Sequence, residues 1–152
     1  MRTRILNNLA SALLRATAFG LIAALVLGGS FRALAQAKLV PKLSITITEP
    51  AHAGKGGPDQ TEPISGEVRG VDYGTHKVVI YTFAGGTWWV QPTVAEPLTD
   101  IDQSGKWQTI THLGSTYAAL LVRPSYRPPA TTNSVPKVGP DVLAVTLVAG
   151  RK

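Results

Sequence analysis

The side chains of this sequence that could do chemistry fall into three sets: an acidic and hydroxyl run, three histidines, and a few aromatics suited to a surface. Asp100, Asp102 and Ser104, followed by Gly105, match the first half of a calcium-binding loop. In such a loop, oxygen ligands at the first, third and fifth positions surround a hard cation, and glycine at the sixth permits the bend. The last position calls for a bidentate glutamate, and here it is Thr111. Strand-like segments flank the run where the calcium loop needs helices. The expectation is therefore a β-hairpin in which Asp102 caps the turn and Gly105 takes positive φ, with no metal bound. His52, His76 and His112 could hold a metal only if the fold gathers them, because they lack the short ligand spacing of a zinc site. Glu67, Asp72, Glu96, Asp100 and Asp102 offer carboxylate pairs, and a hydrolase acting on glycosidic bonds needs two at a defined separation. Ser65 lies in Ile-Ser-Gly-Glu, which is not a nucleophile elbow. No catalytic residue and no cofactor is expected from these patterns.

The aromatics point to binding instead. Trp88 and Trp89 are adjacent in a strand-like segment, so their rings turn to opposite faces. One can enter the core while the other reaches solvent. An exposed planar ring suits stacking on a sugar, and it serves protein interfaces equally well. Tyr126, in a proline-rich stretch, could add a second platform, whereas Trp107 reads as core.

These residues need a scaffold, and the chain first has to be divided. Residues 1–37 read as a helical secretory signal peptide, with Arg2, Arg4 and Arg15 ahead of an apolar run and Ala35-Gln36-Ala37 as the cleavage motif. Between Arg15 and Arg32 lie 16 uncharged residues, short of the roughly 20 that a membrane span requires. The expected address is the periplasm or the exterior, with a membrane anchor as the alternative if residues 1–37 stay uncleaved. The whole chain carries a formal charge of +6, but four of its fifteen basic residues and none of its acidic ones belong to this leader. Residues 38–152 keep eleven against nine, scattered singly, so no nucleic-acid surface is expected. The absence of cysteine excludes a disulfide scaffold, a thiolate nucleophile and a thiolate zinc site.

Residues 38–152 read as one all-β domain of seven to eight strands. Leu43-Ser-Ile-Thr-Ile-Thr48 and Ile64-Ser-Gly-Glu-Val-Arg-Gly70 alternate apolar and polar residues, while 76–83, 87–91 and 142–148 are β-branched or aromatic runs. Residues 98–101 and 106–111 are expected to form a hairpin, with 93–96 as an edge or bulged connection and 116–122 as a further strand. Five prolines at 124, 128, 129, 136 and 140 make 123–140 a stiff, exposed loop. Short strands with irregular turns point to an antiparallel, immunoglobulin-like β-sandwich, and a small closed barrel is the alternative.

Pro63-Ile-Ser-Gly-Glu-Val-Arg-Gly-Val71 followed by His76-Lys-Val-Val-Ile-Tyr81 resembles the opening of bacterial immunoglobulin-like and fibronectin-III-like accessory modules of secreted proteins. Trp88-Trp-Val-Gln-Pro92, Leu98-Thr-x-Ile101, Asp102-x-x-Gly-x-Trp107 and Tyr117-Ala-Ala-Leu-Leu-Val122 complete a resemblance that covers residues 43–149. It implies a largely non-catalytic domain, of a kind sometimes attached to polysaccharide-degrading enzymes, although here the module follows its leader directly. It carries over no site residues. The expected function is a binding or interaction module whose partner is a polysaccharide or an envelope protein, with Trp88, Trp89 and Tyr126 as candidate contacts. Two alternatives stand beside it. One is a small secreted hydrolase using the acidic residues near 96–102, and the other is an envelope protein that associates through a sheet edge.

Overall fold

A computed structural model describes residues 42–152, so the leader expected over 1–37 lies outside the described residues. Eight strands follow in chain order: β1 (Ser44–Glu49), β2 (Thr61–Arg69), β3 (Lys77–Ala84), β4 (Thr87–Gln91), β5 (Lys106–His112), β6 (Thr116–Val122), β7 (Thr131–Thr132) and β8 (Val142–Ala149). A three-residue 3-10 turn over Tyr73–Thr75 is the helical content of the described residues, and no helix there is long and apolar enough to cross a membrane. All strand pairs are antiparallel and divide into two sheets, ordered β1-β2-β5 and β7-β4-β3-β6-β8. The closed barrel does not form.

The two sheets share a core. Ile45, Ile64, Val68 and Trp107 from the smaller sheet pack with Val78, Ile80, Tyr117, Ala119 and Leu121 from the larger. The alternation in β1 and β2 sets this pattern, because every second side chain faces inward. Gly66 occupies one inward position of β2 beside Trp107. A Cβ there would lie 1.9 Å from Thr46 O and 2.5 Å from the Trp107 ring, so the indole takes space that only glycine leaves open. Pro63 is tolerated inside β2 because pairing with β1 stops at Ser65, and its missing N–H falls beyond that end.

β3 and β6 are apolar at every position instead of alternating, and the reason is a second core on the outer face of the larger sheet. Val79, Tyr81, Trp88, Val90, Ala118, Leu120 and Val122 cluster there. Residues 123–140, expected to stand free in solvent, fold over this face. Tyr126 and Val135 pack onto the cluster, Tyr81 Oη donates to Pro129 O (3.0 Å), and Val90 N donates to Ala130 O (3.0 Å). Two more residues of the loop, β7, pair with Trp88 and Trp89 along the rim of β4. The prolines stiffen a cover; they do not hold up a free arm.

The hairpin expected from 98–111 is also corrected. Residues 98–101 do not pair with β5. Thr99 exchanges both backbone hydrogen bonds with Val78 (2.9 and 2.8 Å), beside β3 at positions that β4 does not reach. Ile101 enters the core between the sheets, and the chain then crosses to the smaller sheet through the turn at 102–105. The turn itself has its expected chemistry: Gly105 has φ of 84° and donates to Asp102 O (3.0 Å).

Candidate functional site

A groove of about 520 Å³ opens where the ends of β4 and β5 approach the glycine-rich loop after β1. Gly56, Gly57 and Pro58 form one wall, residues 89–94 the opposite one, and Thr82, Ala84 and Leu113 lie between them. Its surface is mostly apolar, and His112 is its only ionisable side chain.

Strand alternation decides the fate of the two tryptophans, as expected. Trp88 turns to the outer core, is 9% exposed, and lies 5.1 Å from the Phe83 ring centroid. Trp89 turns the other way, lines the groove and stays 49% exposed. Its Nε1–H donates to Ala84 O across the hairpin (3.1 Å), which fixes the ring and satisfies its one polar atom. What the indole offers a ligand is a flat apolar face already held in position, so little side-chain freedom is lost on contact.

Beneath Trp89 the two sheets are joined by polar side chains. Gln91 is 3% exposed. Its Oε1 accepts from the backbone N–H of His112 (2.9 Å) and lies 2.9 Å from His112 Nδ1, while its Nε2 donates to Trp89 O (3.3 Å). With Nδ1 protonated toward Gln91, His112 Nε2 is left as an acceptor. Thr82 Oγ1 and Thr111 Oγ1 share a buried hydrogen bond of 2.6 Å between the same two sheets. These polar contacts fix the spacing of β4 and β5 at the groove. Sequence reasoning passed over Gln91, although a polar residue at an inward position two places from a tryptophan is the signal that marks it.

The remaining candidates are placed elsewhere. Tyr126 is half-buried on the outer core, on the opposite side of the sheet from the Trp89 ring, so the expected union of Tyr126 with an exposed tryptophan does not occur. Burial first, and the adjoining Tyr126 hydroxyl second, push the Tyr81 hydroxyl well above its ordinary value. Trp107 is buried, as expected. Asp102 Oδ1 accepts from Ser104 N, Ser104 Oγ and Lys106 N (2.8, 2.7 and 2.9 Å), and the Ser104 hydroxyl, the largest of these influences, helps hold the carboxyl below its ordinary value. Asp100 pairs instead with Lys77. The half-motif Asp100, Asp102 and Ser104 is thus a capped turn with a neighbouring ion pair. Glu67 pairs with Arg69 (3.2 Å) and Asp72 caps the 3-10 turn through Gly74 N (3.1 Å), while Glu96 is exposed. The histidines are dispersed: His52 on Glu62 (2.9 Å), His76 against Asp72 O (2.9 Å) and His112 on Gln91. Among the described residues, no three such side chains gather into a metal site.

Comparison of the chain with protein-family models, with curated proteins and with solved structures finds no match.

Proposed function

We propose that this protein is an exported, non-catalytic binding module of immunoglobulin-like topology, and that its ligand is a neutral saccharide seated on Trp89. The observation that carries the reading is the half-exposed, hydrogen-bonded indole in a groove without a charged side chain. The apolar face of a sugar ring stacks on such a surface, and Thr93 and His112 Nε2 beside it can meet hydroxyl groups. An uncharged groove favours a neutral glycan over an anionic one.

Two features support the immunoglobulin-like topology. The order β1-β2-β5 opposite β4-β3-β6-β8 places the fifth strand beside the second and the sixth between the third and eighth, a Greek-key arrangement. Tyr117, at the start of β6, accepts from Gly114 N (3.1 Å) in the preceding corner and donates to His52 O (2.6 Å), as a tyrosine corner does. Export rests on the composition of residues 1–37. The non-catalytic reading rests on the acidic residues near 96–102: Asp100 is paired with Lys77 and Asp102 is hydrogen-bonded within its own turn.

Retention on insoluble neutral polysaccharides and on purified cell wall tests the proposal, with Trp89→Ala beside the wild type. Loss of a central aromatic contact of about 2 kcal/mol weakens binding roughly 30-fold, while the variant keeps its fold because the ring is outside both cores. Equal retention of both proteins on every matrix would sink the saccharide reading.

A further inference from the structure

β8 closes one end of the larger sheet and pairs on one side alone, with β6. Gly150 N donates to Ser115 O (3.0 Å), and bonded pairs alternate along an antiparallel ladder, so Thr146 and Val148 turn their backbone groups to β6. Val145, Leu147 and Ala149 turn theirs outward, where nothing among the described residues takes them. The edge is covered only past its end, where Arg151 N donates to Ala51 O and Ala53 N to Arg151 O (2.9 and 2.7 Å).

Other edges near the groove are closed. On β5, Lys106 N is held by Asp102 and His112 N by Gln91, and β7 runs along β4. Residues 142–150 of β8, by contrast, contain neither a charge nor a proline, the usual devices that keep an edge from pairing. Leu147 is 52% exposed on this strand.

We propose that β8 pairs antiparallel with β8 of a second copy of this chain, about a two-fold axis at Thr146. The charge pattern identifies the occupant. The uncharged edge is bounded by Asp141 on one side and Arg151 on the other. Pairing centred on Thr146 sets Val145 opposite the partner's Leu147 and Asp141 opposite the partner's Arg151, and the two-fold repeats both contacts. Parallel pairing would set Asp141 against Asp141 and Arg151 against Arg151. Asp141 takes part in none of the ion pairs among the described residues, and Arg151 reaches Glu62 only loosely, at 3.8 Å. Both side chains are exposed. The product is one continuous ten-stranded sheet with the two β4 strands seven strand intervals apart, or roughly 34 Å before twist. The Trp89 grooves then sit at its two far ends, spaced for bivalent capture of a long polymer.

Sedimentation of the purified full-length chain tests this, with Asp141→Arg and Arg151→Asp as variants whose fold is checked by circular dichroism. The wild type dimerises reversibly. Each variant alone places like charges at both ends of the interface and dissociates roughly 30-fold more readily. An equimolar mixture of the two restores the dimer, because each variant supplies the charge that the other lacks. A wild type that stays monomeric at millimolar concentration overturns the proposal, as do variants that dimerise like the wild type or a mixture that stays monomeric. The saccharide reading survives any of these failures, since Trp89 lies at the other end of the sheet.

Discussion

Replacing Gln91 by leucine asks whether the groove is held open by polar contacts between the sheets or by the apolar core around it. The side chain is 3% exposed, so leucine takes its place without meeting solvent. The substitution removes two hydrogen bonds to His112, one to its backbone N–H and one to its ring, both at 2.9 Å. Each contributes about 1 kcal/mol net, and the backbone donor left without an acceptor in a partly buried site costs a further 1–3 kcal/mol or so. The gain from burying leucine in place of an amide offsets about 1 kcal/mol of this. A net loss of about 2 kcal/mol results, which lowers the unfolding midpoint by roughly 8–15 °C for a domain of this size. Urea unfolding followed by tryptophan fluorescence measures it, and an unchanged denaturant slope shows that the native state keeps its compactness.

His112→Ala sharpens the test, because it keeps the backbone N–H bond and removes only the ring. A double-mutant cycle between Gln91→Leu and His112→Ala therefore isolates the ring–amide contact, with an expected coupling of about 1 kcal/mol. If Gln91→Leu unfolds within about 0.5 kcal/mol of the wild type, the contacts between the sheets do not set the groove. A coupling indistinguishable from zero refutes the assigned ring hydrogen bond even where the single variant is destabilised.

Two further outcomes follow from the same packing and hydrogen bonding. Gly66→Ala forces a methyl group to within 1.9 Å of Thr46 O and 2.5 Å of the Trp107 ring, so β1 or the indole must move. A loss of about 3 kcal/mol or more is expected in thermal unfolding, and a loss under about 1 kcal/mol would mean that Trp107 is not wedged over this glycine. Stability also falls in acid. The backbone N–H of His52 first and its ring second hold the Glu62 carboxyl below its ordinary 4.5, and the Ser104 hydroxyl and Lys106 N–H hold Asp102 below 3.8. Both groups bind protons more readily in the unfolded chain, so their contribution is complete above those ordinary values and fades as the pH drops through the lower folded ones. Urea midpoints from neutral pH downward should show this slope flattened in a Glu62→Gln, Asp102→Asn double variant; an identical slope refutes the assignment.

What was legible in the sequence was local. Alternation at 43–48 and 64–70 marks strands with one wet face, and Asp102 with Gly105 marks a turn by its own chemistry, so both were readable without neighbours. The continuous apolar runs of β3 and β6 carried more than was drawn from them: a strand with no polar face must be covered twice. The second cover is the segment whose prolines argued for exposure, because proline excludes a segment from a central strand without saying where it packs. The misread hairpin has a similar cause. Residues 98–101 are apolar enough to pair with β5, but Ile101 gains more from the core between the sheets, and only the three-dimensional neighbourhood of Val78 reveals the competing partner. Period alone also leaves open which of Trp88 and Trp89 faces solvent, since it fixes that they differ and not which face will be covered.

The loop over the outer face ties the fold to its exposed surfaces. A sheet covered on one side has a free face available for contact, whereas the larger sheet here is buried on both, by the smaller sheet within and by Tyr126 and Val135 without. Recognition is thereby confined to its margins. At the β4 margin β7 closes off the backbone, leaving the Trp89 side chain and the groove as the means of contact. At the β8 margin the relation is reversed: the side chains are small or aliphatic, and the free groups are backbone N–H and C=O. One margin is suited to a ligand that presents a flat surface, and the other to a strand that completes a ladder. The two surfaces lie at opposite ends of one rigid sheet, so occupying either leaves the other accessible.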